Sequence, residues 1–204
     1  ASAEALAAFD NHSVLPQLPE DGHDDAGLLM RGLNRSLRRI DEGVRKLEWT
    51  ATHDALTGAL NRHGGNVQLA ASIAALPEGG AFTIAVLDMD ALKQINDQHG
   101  HDAGDRALVR IVRGLQPLLG PDGWICRQGG GDFLVGLHAD MPALEARLSA
   151  WSAALLESDP LLRLSIGLAG YVPGEDAHAL CRRADAAMYR AKRTGAGILM
   201  EITA

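Results

Sequence analysis

The order in which strand-like and helix-like segments alternate constrains the fold of this chain more than any other feature. Short apolar runs predict strands, and longer segments with apolar residues three and four positions apart predict helices. In chain order these are a strand at 81–87, a helix at 102–119, a hairpin with strands at 124–128 and 133–137, a helix at 142–157, a strand at 162–168, a helix at 177–193 and a strand at 198–202. The order predicts an α/β fold with a largely antiparallel sheet that helices cover on one face.

The predicted hairpin turns on the sequence GGGDF, residues 129–133. Three glycines permit the tight backbone of such a turn, because glycine adopts conformations that other residues avoid. Asp132 is the one acid in the turn. The chain therefore presents a single carboxylate at the tip of a pliable hairpin.

Two further acidic residues follow the strand predicted at 81–87. Asp88 and Asp90 alternate along the chain, so they lie on the same side if the strand continues through them. Carboxylates at a strand end are ligands that Mg²⁺ prefers, and Lys93 nearby would hold a phosphate as a point charge. Taken singly, each of these residues is better explained as a turn or capping residue, but as a set at the exit of one strand they favour a binding site.

Asn96 and Asp105 follow on predicted helical segments. Both side chains can hydrogen-bond the edge of a base. A carboxylate that accepts two N–H groups suits guanine, because adenine has no hydrogen on N1. Together with the acids at the strand end, the pair predicts a nucleotide site.

The N-terminal part of the chain carries a different pattern. Residues 1–23 mix prolines, glycine and acids and predict a weakly ordered leader, whereas 24–52 predict a helix. Apolar residues in this helix alternate spacings of three and four: Met30, Leu33, Leu37, Ile40, Val44, Leu47 and Ala51. A period of 3.5 residues favours a parallel coiled coil, and hence a homodimer through residues 30–51. An amphipathic helix packed on its own domain remains the alternative.

Composition narrows the class of protein. The net charge of −7 argues against general nucleic-acid binding. No apolar run reaches the ~18 residues that span a bilayer, and the two cysteines, Cys126 and Cys181, form no cluster of the metal-binding type. These features predict a cytoplasmic location, and they leave open a membrane anchor upstream in a longer parent protein.

Five blocks of the sequence resemble the GGDEF family of diguanylate cyclases, in that family's order. They are DALTGALNR at 54–62, LDMDALKQINDQHGHDAGD at 87–105, RQGGGDF at 127–133, LSIGLA at 164–169 and RADAAMYRAKRTG at 183–195. The resemblance implies a GGDEF domain at 53–204 with the palm-like fold of nucleotidyl cyclases. It also implies condensation of two GTP into cyclic di-GMP with Mg²⁺ or Mn²⁺.

The resemblance assigns roles to individual positions of this chain. It implies Asp88 and the Met89 carbonyl as metal ligands, Lys93 and Lys192 as phosphate contacts, and Asn96 and Asp105 as guanine readers. Asp132 matches the fourth position of the family turn, so it is the candidate catalytic acid and a third metal ligand.

Three departures from the family pattern bear on activity. The third turn position, usually a metal-binding acid, is Gly131. A phosphate-contacting arginine of the family is replaced by Ala196. The Arg-x-x-Asp site for inhibitory product is missing, because Gly120 and Gly123 occupy its positions.

These departures favour a degenerate GGDEF domain that keeps a GTP pocket, has impaired or no cyclase activity, and serves regulation or dimerisation. One alternative is an active cyclase in which Asp132 is the surviving turn carboxylate. Another is a docking module for a different cyclic di-GMP enzyme.

Overall fold

The computed structural model describes residues 25–200, in two compact units with their boundary between Thr50 and Ala51. The predicted N-terminal helix is present as α1, Asp25–Thr52. Its predicted apolar seam is largely uncovered in the single chain, with Ile40 59% and Leu47 72% exposed. The predicted leader at 1–23 lies outside the described residues.

A five-stranded sheet and five helices build the second unit. The helices are α2 (Arg62–Ala74), α3 (Leu92–His99), α4 (His101–Leu119), α5 (Met141–Ser158) and α6 (Ala177–Thr194). The strands are β1 (Thr83–Met89), β2 (Trp124–Gly129), β3 (Asp132–Leu137), β4 (Leu164–Gly170) and β5 (Ile198–Met200). Their order in the sheet is β2-β3-β1-β4-β5, and every neighbouring pair is antiparallel except β4 and β5. The prediction of an α/β fold with a mostly antiparallel sheet is confirmed.

Helices pack on both faces of this sheet, so the prediction of one covered face was wrong. On one face, Ile111 of α4 and Leu148 of α5 share a buried core with Phe133 of β3. On the other, Leu69 of α2 and Leu180 of α6 share a second core with strand residues. The sheet is therefore the middle of three layers.

Helix α2 is the element that the sequence patterns did not predict. Asn61 caps it, because its side chain accepts a hydrogen bond from the N–H of Gly64. The helix then approaches β2 so closely that a Cβ on Gly65 would lie 2.3 Å from the Cys126 Sγ. Close packing through glycine replaces the apolar stripe by which such a helix is usually recognised.

Two glycines set helix ends that position the candidate site. Gly195 ends α6 in the left-handed conformation, with φ 68°, as its sequence position predicts. Gly100, with φ 82°, separates α3 from α4. Among residues 25–200, no helix combines the length and apolarity needed to cross a bilayer.

Candidate active site

Two carboxylates meet where β1 ends and β3 begins. Asp88 of β1 is the direct partner of Asp132 in the antiparallel register. Opposite residues of such a pair place their side chains on the same side of the sheet, with Cβ atoms about 4.5–5.5 Å apart. The predicted acids at the strand end and the hairpin tip are thus neighbours, although 44 positions separate them in the sequence.

The Lys192 ammonium, in the last turn of α6, contacts both acids of the β1 exit. It donates a hydrogen bond to the Asp88 carboxylate and lies 3.6 Å from Asp90 Oδ1. The hydrogen bond to Asp88 raises the pKa of Lys192, so the side chain stays charged. Asp90 also accepts a hydrogen bond from the Ser165 hydroxyl at 2.9 Å. Asp88 and Asp90 therefore share one cation, which agrees with their predicted placement on one side.

Gly131 faces the end of β1 at short range. Its carbonyl accepts a hydrogen bond from the Met89 N–H at 3.0 Å. A Cβ on Gly131 would lie 3.0 Å from the Met89 Cβ and 3.4 Å from the Met89 carbonyl oxygen. Gly129 and Gly130 have positive φ, whereas Gly131 does not. A side chain at 131 is thus compatible with the backbone and would begin beside the Met89 carbonyl.

The residues around β1 fit a divalent cation only with an incomplete set of protein ligands. Asp88, Asp132 and the Met89 carbonyl are the oxygen donors that the structure offers. Within residues 25–200, no three His, Cys, Asp or Glu side chains form a group that could hold a metal. A hard cation takes six or more oxygens, so this site would depend on nucleotide phosphates for ligands that position 131 does not supply.

The surroundings of Asp132 shift the pKa of its carboxyl group. Loss of surrounding water raises its pKa, and the nearby Asp88 charge raises it further, whereas Lys192 opposes this shift. The folded protein therefore holds a proton on Asp132 more tightly than the unfolded chain does. As pH rises from the ordinary aspartate pKa of about 3.9 through the raised value, Asp132 subtracts from stability.

Substituting Asp132 with asparagine is expected to raise the melting temperature at pH 7 by about 1–3 °C, because one partner of a like-charged pair is removed. The gain should vanish at acid pH, where Asp132 itself is protonated and carries no charge. Thermal denaturation at both pH values measures it, with the exposed turn residue Asp122, changed to asparagine, as a control. Equal melting temperatures for Asp132→Asn and the parent at pH 7 would contradict the repulsion.

The candidate guanine readers lie on the adjoining helices α3 and α4. Asn96 Oδ1 is buried and has no hydrogen-bond partner in the described structure. It packs against Gly104, on which a Cβ would lie 2.0 Å from that oxygen. Asp105 follows on α4 and is exposed. Asn96 is thus held beside Asp105 by a gap that only glycine leaves open.

Lys93 is the predicted site residue whose side chain is least constrained by its neighbours. It is exposed on α3, and among residues 25–200 its side chain forms no hydrogen bond or ion pair. No hydrogen bond or ion pair of the described residues joins the Asn96 side to the Asp88 side. The structure therefore brings Asp88, Asp132 and Lys192 together, whereas Lys93 forms no hydrogen bond or ion pair with any of them.

An arginine that sequence reasoning left without a role holds the glycine turn. Arg127 Nη1 donates to both Asp54 oxygens at 3.2 and 3.1 Å, and its Nε and Nη2 donate to the Gly130 carbonyl. Partial burial raises the pKa of Asp54, but hydrogen bonds from Thr57 and Arg127 outweigh burial and lower it overall. Arg127 and Asp54 both lie in sequence blocks that resemble the family, and this resemblance was the signal that could have identified them.

The structure also bears on the missing product site. A Cβ on Gly123 would lie 2.5 Å from the Leu119 Cβ, and Gly120 has φ 65°. Neither position accommodates a larger residue in this backbone without strain. The Arg-x-x-Asp pair is thus absent from the sequence and disfavoured by the local conformation.

A palm-like α/β domain, with a mostly antiparallel sheet between two helical layers, is the class that this fold defines. The family model described as diguanylate cyclase, GGDEF domain, matches residues 51–197, and the chain belongs to this family.

Individual relatives agree with this assignment. Diguanylate cyclase DgcP of Pseudomonas aeruginosa is 39% identical over 155 residues, which are 71% of this chain and 23% of that protein. A solved microbial GGDEF domain, described for a novel interaction with cyclic di-GMP, is 46% identical with a TM-score of 0.69, and the match covers 76% of this chain and 99% of that one. The coiled coil and GGDEF domain of DgcB from Caulobacter crescentus, solved with cyclic di-GMP, is 25% identical with a TM-score of 0.77, over 87% and 100% of the chains. The match spans between 23% and 54% of the length of the curated relatives.

Proposed function

We propose that this GGDEF domain of cyclic di-GMP signalling binds GTP and has lost most or all of its cyclase activity, so that it acts in regulation or dimerisation. The observation that supports this most is Gly131, beside the Met89 carbonyl, where the family pattern has an acid. The neighbouring groups that would bind nucleotide are present. The departures in the nucleotide site are thus confined to the acid at position 131 and the arginine at position 196.

In this proposal each retained side chain has a defined task. Asp105 accepts hydrogen bonds from N1 and N2 of guanine, and Asn96 contacts the same base. Lys93 and Lys192 neutralise phosphate oxygens. Asp88, Asp132 and the Met89 carbonyl would hold Mg²⁺ or Mn²⁺. That ion, when bound, would offset the triphosphate charge and polarise the phosphate under attack.

Lys192 must also change partners when nucleotide binds. In this structure its ammonium is shared by Asp88 and Asp90. Phosphate oxygens would compete with these carboxylates for the lysine, while a divalent cation would compete with the lysine for Asp88. Nucleotide and metal binding are therefore expected to support each other.

An active cyclase is the second candidate, and the position of Asp132 directly opposite Asp88 favours it. There the shorter fourth-position acid would take over metal binding and accept the proton of the attacking 3′-hydroxyl. The loss of general base assistance is typically worth 10²–10⁴ in rate, so the two candidates differ by a measurable factor.

Product analysis distinguishes them. The protein is incubated with GTP and Mg²⁺ or Mn²⁺, and cyclic di-GMP is measured by chromatography beside Asp88→Ala and Asp132→Asn. We expect little or no product from the parent chain. Turnover that both substitutions abolish would overturn the proposal and assign the chemistry to Asp132.

We further propose that α1 joins two copies through its apolar seam. Two GTP-binding domains must face each other to form cyclic di-GMP, and a coiled coil would hold them at high local concentration. The exposed seam supports this assembly, as does the coiled coil that precedes the GGDEF domain in DgcB.

The double substitution of Ile40→Glu with Leu47→Glu is expected to convert a dimer into a monomer, as measured by sedimentation velocity. Each apolar side chain buried in a seam contributes about 1.5–3 kcal/mol, so the dissociation constant should rise by more than about 10²-fold. Arg39→Glu with Lys46→Glu changes the charge more, outside the seam, and should leave the dimer intact. A monomeric parent chain, or dissociation by both pairs alike, would contradict the seam.

A further inference from the structure

A cavity of about 600 Å³ opens beside Lys192, between the start of β4, helix α5 and the loop after α6. Its polar lining comprises Asp90, Ser152, Arg163, Ser165 and Lys192, and Ala196 forms part of its wall. It is large enough for several phosphate groups. None of the tasks assigned above involves Arg163.

The two cations that line this cavity differ in whether a carboxylate neutralises them. Lys192 is paired with Asp88 and Asp90. The Arg163 side chain is exposed, and within residues 25–200 it forms no hydrogen bond or ion pair. Arg163 is therefore the lining cation that has no carboxylate to give up when an anion enters.

The backbone fixes Arg163 next to the acidic exit of β1. Its carbonyl accepts a hydrogen bond from the Asp90 N–H at 3.1 Å. One residue further on, Leu164 is the register partner of Met89. Arg163 thus starts from a rigid position on the sheet, although its guanidinium is free to move.

The loop after α6 also lines the cavity and contributes no cation. Ala196 offers only a methyl group, and Gly195 and Gly197 on either side of it have positive φ. This loop runs beside β4, where the Ile166 N–H donates a hydrogen bond to the Gly197 carbonyl at 2.7 Å. Because Arg163 and Ala196 line one cavity with Lys192, a guanidinium at 163 and one at 196 would border the same space.

We propose that Arg163 is a polyphosphate-binding residue that works with Lys192 and takes the place of a cation at position 196. This inference rests on the proposed GTP binding and names which part of the ligand the cavity takes. Guanidinium suits the role because its planar donors bind phosphate oxygens in pairs.

The test compares ligands that contain or lack the polyphosphate chain. GTP, ATP, inorganic tripolyphosphate and guanosine are titrated, with Mg²⁺, into the full chain and into Arg163→Gln. We expect about 10–100-fold weaker binding of GTP and tripolyphosphate, since a charged hydrogen bond is lost, and unchanged binding of guanosine. Arg193→Gln is the matched control, because Arg193 neighbours Lys192 but does not line the cavity.

A rescue experiment adds Ala196→Arg to the Arg163→Gln variant. Recovery of tripolyphosphate affinity is expected if both positions serve one phosphate site. Unchanged tripolyphosphate binding in Arg163→Gln would overturn the inference while leaving guanine recognition intact. Arg163-dependent tripolyphosphate binding without any preference for GTP over ATP would instead overturn the proposed function and keep the inference. If the parent chain binds neither GTP nor tripolyphosphate, both are wrong.

Discussion

Substituting Gly131 with aspartate is expected to raise cyclic di-GMP formation by about 10²–10⁴-fold, the range that general acid–base assistance contributes. The new carboxylate would start 3.4 Å from the Met89 carbonyl oxygen, measured from its Cβ. It would thereby add an oxygen ligand beside the Met89 carbonyl. The measurement is the initial rate of product formation from GTP with Mg²⁺.

The backbone admits this substitution with a small adjustment. Gly131 lies outside the positive-φ region, and its Cβ would contact the Met89 Cβ at 3.0 Å. The Met89 Cβ must yield by a few tenths of an ångström, which takes a small shift of the backbone where β1 meets the turn.

Gly131→Asn is the matched control for the carboxylate. It fills the same volume without the charge, so it should remain inactive. If Gly131→Asp also remained inactive while binding GTP as the parent does, the loss of activity would have a cause beyond this carboxylate.

Gly104→Ala is expected to weaken GTP binding by about 10–100-fold without changing any residue that would contact nucleotide. Its Cβ would lie 2.0 Å from Asn96 Oδ1, a distance that no packing tolerates. Asn96 must then leave its place beside Asp105. Overpacking of this kind typically costs about 1–3 kcal/mol. Calorimetric titration with GTP measures the affinity, and thermal denaturation measures the stability.

Two comparisons separate lost recognition from general destabilisation. Gly114→Ala disturbs the same helix, where a Cβ would lie 2.5 Å from the Trp151 Nε1, far along α4 from Asn96. It should lower the melting temperature and spare GTP affinity. Asn96→Ala should add no further loss in the Gly104→Ala background, because the two changes remove the same contact. Normal GTP affinity in folded Gly104→Ala would disprove the positioning role.

The sheet was predictable from the sequence because its strands are short apolar runs bounded by clear turns. Helix α4 was equally predictable, since its buried residues Leu108, Ile111 and Leu115 follow the helical period. Helix α2 was missed because Leu69 is the one large apolar side chain on its buried face, where Gly64, Gly65 and Ser72 fill the other buried positions. Without α2, nothing in the pattern indicated that the second face of the sheet was covered.

The candidate site likewise has a part that the sequence predicts and a part that it does not. Asp88, Asn96 and Asp105 were identified because they follow a strand or lie near one another along the chain. The pairing of Lys192 with Asp90, and of Arg127 with Asp54, joins residues about 70 to 100 positions apart. No local pattern encodes such contacts; they follow from the register of β1 with β3 and β4 and from where α6 ends.

Calorimetric titration of the parent chain with GTP and with ATP, in the presence of Mg²⁺, tests the central claim most directly. The claim is that guanine recognition survives the loss of the acid at 131. We predict saturable binding of GTP, binding of ATP at least about tenfold weaker, and loss of that difference in Asp105→Ala. No binding of GTP, or equal binding of the two nucleotides, would contradict the claim and favour a docking module that has no nucleotide role.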